Sequence, residues 1–420
     1  MNVLVVSSNA FSNVLNNGKT LEAIFTAFEK EQLHQLYFRP QDSKLIDFNF
    51  CSDFYTISEI SLLKDFLFFR KSNEYGVDKH TKKNDNVAKI IDFFINKSLK
   101  PNGLLRDLLW KSNLWKNRNL KKWCNDTHAD VVFFVASGFG YTHEIANYVS
   151  KYLKIPLVSY FADDYLIYPK PKGLFDKIQK IRIKSFFRKT VNNSQLLFGI
   201  GDLMVEEYTK YFGKQFFPIM NSTEVFPYDN SENNNPIVIS YFGGLHTGRW
   251  EMISKLAKLI KNKAIIFVYT FDFISDQIRN SFYDSGVIIK DGVNGVEYRN
   301  ELYRSNMLLH VESDNSQHRL MTRLSVSTKI PEYLMTGRLV LGFGPSEVAS
   351  MQILSENKIG FVISSEDNDL DIYNNLIDLF SDTKKQTDIG YRGYQFAISH
   401  FDNKLISQNF KDKLYSLVKI

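Results

Sequence analysis

Residues 327–344 read STKIPEYLMTGRLVLGFG, and this stretch decides the fold. Its first part, 327–337, holds hydroxyls, one lysine and one glutamate in two predicted helical turns that end at a glycine. An apolar strand, 338–343, follows at once and ends in Gly344-Pro345. A helix that leads directly into a buried strand is typical of a parallel α/β sheet.

The same stretch also predicts a ligand site. Ser327, Thr328 and Lys329 stand at the helix start, where unpaired backbone N–H groups and the helix dipole favour an anion such as phosphate. Glu332 lies one turn further along, and a carboxylate can accept hydrogen bonds from both hydroxyls of a ribose. The pattern therefore predicts a binding site for a sugar nucleotide. A capped amphipathic helix, with Ser327 or Thr328 as the N-cap, has the same pattern.

Composition indicates a globular protein of a reducing compartment. The chain has 420 residues, of which 44% are hydrophobic and 23% charged, so two or three domains of ordinary composition are expected. Cys51 and Cys124 form neither a disulfide framework nor a metal-ligand spacing. The first residues lack a signal-peptide pattern, and no run of about eighteen apolar residues predicts a membrane span. We expect a cytoplasmic protein, soluble or peripheral on the membrane.

Short apolar runs alternate with helical patterns on both sides of a polar linker. Strands are predicted at 3–6, 35–38, 131–135, 157–161, 196–200, 237–241, 264–269, 287–289, 307–311, 339–343 and 361–363, and helices at 20–31, 143–153, 203–212, 252–259, 371–380 and 404–417. This alternation predicts an α/β fold of two doubly wound Rossmann-like domains that face a cleft. We expect a first domain at 1–225, a linker at 226–236, a second domain at 237–400 and a helix at 401–420 that crosses back to the first domain.

Ligands of such sheets bind beyond the carboxyl ends of the strands. Gly243, Gly244 and Arg249 follow the first strand of the second domain. The glycines let the backbone approach a ligand closely, and Arg249 can hold a pyrophosphate with two hydrogen bonds. An ordinary strand-to-helix turn with a surface arginine is the alternative.

Three carboxylates also follow predicted strands. Asp163 and Asp164 come after 157–161, and Glu312 comes after 307–311. Carboxylates at these places serve as a general base or bind acceptor hydroxyls, whereas helix capping is the structural alternative. The pair His143-Glu144 resembles a zinc-protease helix, but Asn147 stands where the second ligand would be, so no metal site is expected.

Two basic runs, 97–123 and 170–189, contain interleaved tryptophan, leucine, isoleucine and phenylalanine. Helices of this composition suit an anionic membrane surface, where each cation adds about 1 kcal/mol. A core-facing helix with a basic solvated face is the alternative for each run. No zinc-finger or RNP-like signature indicates nucleic acid.

Through these motifs, the chain resembles the GT-B fold glycosyltransferases, and in particular the group 4-like enzymes of bacterial surface-polysaccharide assembly, whose retaining members share a Glu-x7-Glu helix. Residues 327–343 resemble that helix and its following strand, and 241–244 resemble the glycine loop. Residues 201–213 with Met220-Asn221 are similar to the segment before the hinge, and 7–20 are similar to the start of these enzymes.

The resemblance implies transfer of a sugar from a UDP- or GDP-sugar to a glycan or lipid-linked acceptor, without a bound metal. Glu332 would bind the donor ribose, and Arg249 and Lys329 would hold the diphosphate. Ser327 and Thr328 would add hydrogen bonds, and Asp163 or Asp164 would face the acceptor.

One position departs from the family pattern. Leu324 stands eight residues before Glu332, where the first glutamate of Glu-x7-Glu is expected. Glu312 could replace it across the longer loop 313–325. Two alternatives therefore stay open: a catalytically silent GT-B subunit that binds a sugar nucleotide or a partner enzyme, and a GT-B-like sugar-nucleotide epimerase.

Overall fold

A computed structural model describes residues 1–13, 16–39, 43–59, 62–63, 109–168, 170–171, 173–228 and 236–418. Its strands are β1 Val3–Ser7, β2 Leu33–Tyr37, β3 Asp53–Thr56, β4 Val131–Val135, β5 Leu157–Phe161, β6 Ser194–Gly199, β7 Phe217–Pro218, β8 Ile237–Phe242, β9 Ala264–Thr270, β10 Ile288–Asp291, β11 Met307–Val311, β12 Leu339–Gly344 and β13 Phe361–Ser364.

The described α-helices lie between these strands and after the last one. They are α1 Asn16–Phe25, α2 Arg118–Asp126, α3 Gly140–Leu153, α4 Leu174–Asn193, α5 Gly201–Phe212, α6 Arg249–Leu259, α7 Asp276–Ser285, α8 Gly295–Tyr303, α9 Ser316–Thr322, α10 Lys329–Leu334, α11 Ala349–Glu356, α12 Asp369–Ser381, α13 Thr383–Phe401 and α14 Asn403–Val418. Within the described ranges, no helix has the length and apolar character that a membrane span needs.

The first domain is built on a seven-stranded parallel sheet of order β3-β2-β1-β4-β5-β6-β7. Every residue of β1, β4 and β5 is buried except Val135, which is partly exposed, because helices cover both faces of the sheet. The strand order reverses between β1 and β4, and this reversal is the switch point beyond which ligands bind in such folds.

The second domain has a six-stranded parallel sheet of order β10-β9-β8-β11-β12-β13, with its switch point between β8 and β11. The stretch quoted first behaves as predicted here. Helix α10 ends at Leu334, Gly337 turns the chain with a φ of +76°, and β12 follows with every residue buried. Glycine is required at this turn because its φ lies in the left-handed region. The prediction of a helix followed by a buried strand is confirmed.

Helix α14 returns to the first domain, as predicted. The Ser407 hydroxyl donates to the Ile24 carbonyl at 2.7 Å and accepts from the Ala27 N–H at 2.8 Å. Phe410 of the same helix packs against Phe25 and Phe133 of the first domain's core. The last helix therefore ties the two ends of the chain together. Residues 229–235 lie outside the described residues, and the domain boundaries stay a prediction.

The two basic runs differ in what they expose. Residues 97–108 of the first run lie outside the described residues, and in its remainder Trp110, Trp115 and Trp123 are buried in the first domain. These tryptophan side chains are therefore not exposed for contact with a membrane. In the second run, helix α4 exposes Leu174 (76%), Ile178 (49%) and Ile181 (70%).

Candidate functional site

Helix α10 and helix α8 together position Glu332, the residue that the sequence predicts to bind a ribose. The Tyr298 hydroxyl of α8 donates to Glu332 Oε2 at 2.7 Å, and Lys329 Nζ lies 3.4 Å from the same oxygen. The Lys329 ammonium also lies over the Tyr298 ring, 4.7 Å from its centroid. Burial, followed by the charge of Glu332, raises the pKa of Tyr298, so its hydroxyl stays protonated and holds the carboxylate. Tyr298 was missed in the sequence, because a tyrosine on an unpredicted helix gives no signal.

The hydroxyls before α10 have unequal surroundings. Ser327 Oγ accepts a hydrogen bond from the Lys329 N–H at 3.3 Å, and the Ser327 N–H donates to Ser350 Oγ at 3.0 Å. Thr328 is the N-cap residue but makes no side-chain capping bond to any residue that the structure describes. Ser327 therefore supports the helix start, and Lys329 and Glu332 meet at the first turn of the helix.

The glycine loop after β8 is held in place by two side chains. The Tyr241 hydroxyl donates to the Gly244 carbonyl at 2.6 Å, and Asp272 Oδ2 accepts from the Leu245 N–H at 2.7 Å. Gly243 has a φ of +145°, which a residue with a side chain rarely adopts. Asp272 follows β9 at the same edge of the sheet and was also missed in the sequence. Its position directly after a strand is the signal that could have found it.

Arg249 and Glu312, which the sequence placed in separate roles, meet at the switch point. Arg249 begins α6 after β8, and Glu312 follows β11, the neighbouring strand. The guanidinium lies 3.5 Å from Glu312 Oε1, and the glutamate side chain is only 4% exposed. Gly248, with a φ of +75°, lets the helix begin here, because a Cβ at this position would lie 2.3 Å from Ser313 Oγ.

Burial shapes the electrostatics of this pair. Desolvation raises the pKa of Glu312, while Arg249 and a hydrogen bond from Thr322 oppose that rise. His310 Nε2 lies 3.4 Å from Glu312 Oε1, and burial together with Arg249 lowers the pKa of His310 to about 3. The imidazole is therefore neutral at physiological pH, and Arg249 is the cation that neutralises the glutamate.

Asp163 and Asp164 have different surroundings although they are adjacent. Asp164 is buried and accepts hydrogen bonds from the N–H groups of Leu166, Ile167 and Tyr168, and from the Tyr208 hydroxyl. These bonds fix the loop after β5. Asp163 is exposed instead. Asp164 therefore holds the non-helical loop 162–168 and does not cap a helix. Asp163 is the exposed carboxylate, and it accepts a hydrogen bond from the Tyr165 hydroxyl at 3.3 Å.

A loop of the second domain contacts Asp163, at the carboxyl end of β5. Ser325 Oγ of the second domain donates to Asp163 Oδ1 at 3.2 Å. One residue later, the Val326 carbonyl accepts from Asn221 Nδ2 at 2.8 Å. The loop before helix α10 therefore contacts the carboxylate that the sequence predicts to face an acceptor. Leu324, in the same loop, is fully buried, so the position at which the resemblance leads us to expect a glutamate is part of the core.

Comparisons with known proteins give structural neighbours only. No protein-family model matches the chain, and no curated protein matches it in sequence. Among solved structures, TarM has a TM-score of 0.62 at 11% identity, covering 100% of this chain and 99% of its own. The Anabaena protein HepE, solved in complex with UDP-glucose, has a TM-score of 0.60 at 13% identity, covering 99% and 100%.

Sucrose-phosphate synthase from Thermosynechococcus elongatus is similar at a TM-score of 0.63 and 11% identity, covering 99% of each chain. These likenesses extend over both domains and agree with the two facing sheets and the returning helix α14. The chain has the GT-B glycosyltransferase fold.

Proposed function

We propose that this protein is a glycosyltransferase that moves a sugar from a UDP- or GDP-sugar to a glycan or lipid-linked acceptor in surface-polysaccharide assembly. One observation carries the proposal. Arg249 starts helix α6 after β8, and Lys329 and Glu332 lie in the first turn of helix α10 after β11, the two strands that flank the switch point of the second sheet. This is the place where open α/β sheets bind nucleotides, and the side chains match a diphosphate and a ribose.

The proposed donor-binding side chains form ion pairs, and a bound donor can replace one partner of such a pair. In the structure Lys329 pairs with Glu332, and Arg249 pairs with Glu312. A ribose that binds Glu332 by its two hydroxyls releases Lys329 toward the adjoining phosphate. Cations placed against the leaving diphosphate stabilise the charge that develops as the glycosidic bond breaks. Ser327 and Thr328, at the start of the same helix, add hydroxyl donors.

Glu312 serves this reaction as a positioning residue. Its carboxylate is almost fully buried and is engaged by Arg249, so it orients the guanidinium rather than touching the sugar. Asp163 is then the carboxylate that receives an acceptor hydroxyl. Membership of the Glu-x7-Glu group stays a prediction, because Leu324 occupies the first glutamate position.

The experiment is a panel of nucleotide sugars tested by calorimetry for binding and by mass spectrometry for product, with glycan and lipid-linked acceptors. Binding of one donor with transfer to an acceptor is the expected result. Conversion of the free sugar nucleotide without an acceptor would identify an epimerase. Failure to bind any member would reject the donor site itself.

A silent GT-B subunit is the second candidate, and the burial of Leu324 favours it. A leucine in the core cannot supply the carboxylate that the family places at this position. The same panel separates the two candidates, because a silent subunit binds a nucleotide sugar and forms no product with any acceptor.

We further propose that helix α4 holds the protein on the anionic inner face of the cell membrane. Leu174, Ile178 and Ile181 are spaced to form one exposed stripe along the helix. Lys177 and Arg188 of the same helix are exposed as well. An apolar stripe with flanking cations binds a membrane surface through both burial and charge.

A further inference from the structure

The loop after β5 carries a carboxylate and an aromatic ring that one segment of the second domain contacts together. Asp163 is exposed, and Tyr168 closes the same loop. Asp164 fixes this geometry, since its carboxylate accepts the backbone N–H of Tyr168 at 2.8 Å and the N–H of Leu166 at 2.9 Å. Tyr208 Oη donates to the same carboxylate at 3.0 Å. The loop is therefore rigid before any ligand arrives.

A rigid carboxylate beside an aromatic ring suits a saccharide. The ring offers a flat apolar surface for the C–H face of a sugar, and the carboxylate accepts hydrogen bonds from its hydroxyls. Preorganisation lowers the entropic cost of binding such a ligand. The loop lies at the carboxyl edge of the first sheet, next to the donor side of the second domain.

Both features are covered by one segment of the second domain, residues 323–325. The Arg323 guanidinium lies over the Tyr168 ring, 4.8 Å from its centroid. The Ser325 hydroxyl donates to Asp163 Oδ1 at 3.2 Å. A serine hydroxyl thus occupies the place of a sugar hydroxyl, and a guanidinium occupies the place of a sugar ring.

Within this cover, the Arg323 side chain is weakly held. Among the residues that the structure describes, its buried Nε has no hydrogen-bond partner, and Glu347 lies 3.9 Å from Nη1. Next to the cover, Val326 is anchored by the hydrogen bond from Asn221 at 2.8 Å. The backbone of this segment is anchored, because the Arg323 carbonyl accepts the Ala349 N–H at 2.8 Å and Leu324 is buried. The Arg323 and Ser325 side chains are therefore the parts that can turn away from the first domain.

We propose that Asp163 and Tyr168 form a saccharide subsite for the acceptor, and that the Arg323 and Ser325 side chains mask it until an acceptor displaces them. The inference rests on the proposed function, because it names the acceptor's chemical class at the site of that reaction. It adds that each acceptor sugar competes with a segment of the protein itself. Displacement of Ser325 acts two residues from Ser327, at the start of the donor helix.

The test compares variants that remove the mask with variants that remove the subsite. Arg323→Ala/Ser325→Ala removes the mask, and adding Tyr168→Ala to this double variant removes the ring. Arg319→Ala is the matched control, because Arg319 also lies on the α9 side of the loop but bonds to Glu347 within the second domain. Two probes separate the sources of the saccharide: an array of short soluble oligosaccharides, and vesicles carrying monoglucosyl diacylglycerol compared with sugar-free vesicles of the same lipids.

We expect the double variant to bind the same sugars about tenfold more tightly than the wild type, as expected when one competing charged contact is lost. Tyr168→Ala should abolish this gain, and Arg319→Ala should not produce it. Binding to the array indicates a free glycan acceptor, and binding to the glycolipid vesicles alone indicates a lipid-linked one. Two results would overturn the inference: no saccharide binding by either the wild type or the double variant, or equal binding by both. Nucleoside diphosphate binding, measured on the same samples, reports on the donor site separately, so its loss would reject the proposed function instead.

Discussion

The Arg249 guanidinium lies 3.5 Å from the Glu312 carboxylate, across the switch point of the second sheet. Removing one member of a buried ion pair leaves the other charge unpaired. We therefore expect Glu312→Gln to lower the free energy of unfolding by about 3 kcal/mol. Denaturant unfolding followed by circular dichroism measures this change.

A double-mutant cycle with Arg249→Met provides the control for this pair. The double variant should lose less stability than the sum of the two single variants, because no unpaired charge then remains in the site. Additive losses would show that the two side chains do not interact, and Glu312 would lose its positioning role.

Lys329 and Glu332 should affect different parts of the donor. Lys329→Ala deletes a charge-assisted contact, so it should weaken binding of the nucleoside diphosphate by about tenfold to a hundredfold. It should leave binding of the free nucleoside unchanged. Glu332→Gln should weaken both ligands, and it should have no effect on a 2′,3′-dideoxy nucleotide, which lacks the ribose hydroxyls. Titration calorimetry measures all three ligands.

Lys258→Ala, on the exposed side of α6, is the matched control for loss of a positive charge in the second domain. Equal losses for the diphosphate in Lys258→Ala and Lys329→Ala would mean that only the overall charge matters. An undiminished affinity in Lys329→Ala would remove Lys329 from the diphosphate site.

The sequence was sufficient where local chemistry decides structure. The buried strands, the turn at Gly337 and the returning helix α14 follow from periodicity and from glycine, and each is present. Strand β3 was missed because its four residues, Asp53–Thr56, begin with a charge and contain little apolar pattern. The short helices α8 and α9 were missed for the same reason.

Long-range pairing could not be predicted from the sequence. Arg249 and Glu312 are 63 residues apart in the sequence (312 − 249). Only the parallel pairing of β8 and β11 brings them together. Likewise, nothing local shows that Ser325 would reach Asp163, or that the tryptophans of the first basic run would be buried. These facts depend on how the sheets and domains pack, which no single-sequence pattern encodes.

Asp163 and Asp164 provide a matched pair for separating acceptor binding from stability. Asp164→Asn should lower the unfolding free energy by about 2 kcal/mol, because four hydrogen bonds to this buried carboxylate lose a charged acceptor. Asp163→Asn should leave the unfolding midpoint unchanged and lower only the rate of sugar transfer. A loss of stability in Asp163→Asn, equal to that of its neighbour, would contradict this division.

The exposed stripe of α4 should control membrane binding. We expect Leu174→Ser/Ile178→Ser/Ile181→Ser to reduce flotation with anionic vesicles by about tenfold, because three buried apolar side chains are lost from the membrane contact. Added salt should weaken the wild-type protein's binding. Leu370→Ser/Leu405→Ser changes exposed leucines of α12 and α14 and is the matched control. Flotation that is insensitive to salt and to the α4 variant would rule out this docking helix.

Glu22 of α1 should make stability depend on pH near neutrality. Burial, followed by the charge of Asp47, raises the pKa of Glu22 from 4.5 to about 7, and within the described residues its buried Oε1 has no hydrogen-bond partner. Because the folded-state pKa lies above the unfolded value, the stabilising contribution is complete below pH 4.5 and is lost as the pH rises through 7. Glu22→Gln, which stays neutral, should therefore raise the melting temperature by about 2 °C at pH 8 and leave it unchanged at pH 4. Thermal unfolding at both pH values measures this difference, with the exposed Glu31→Gln as the control. An equal effect of Glu22→Gln at pH 4 and pH 8 would show that lost packing, rather than ionisation, governs this site.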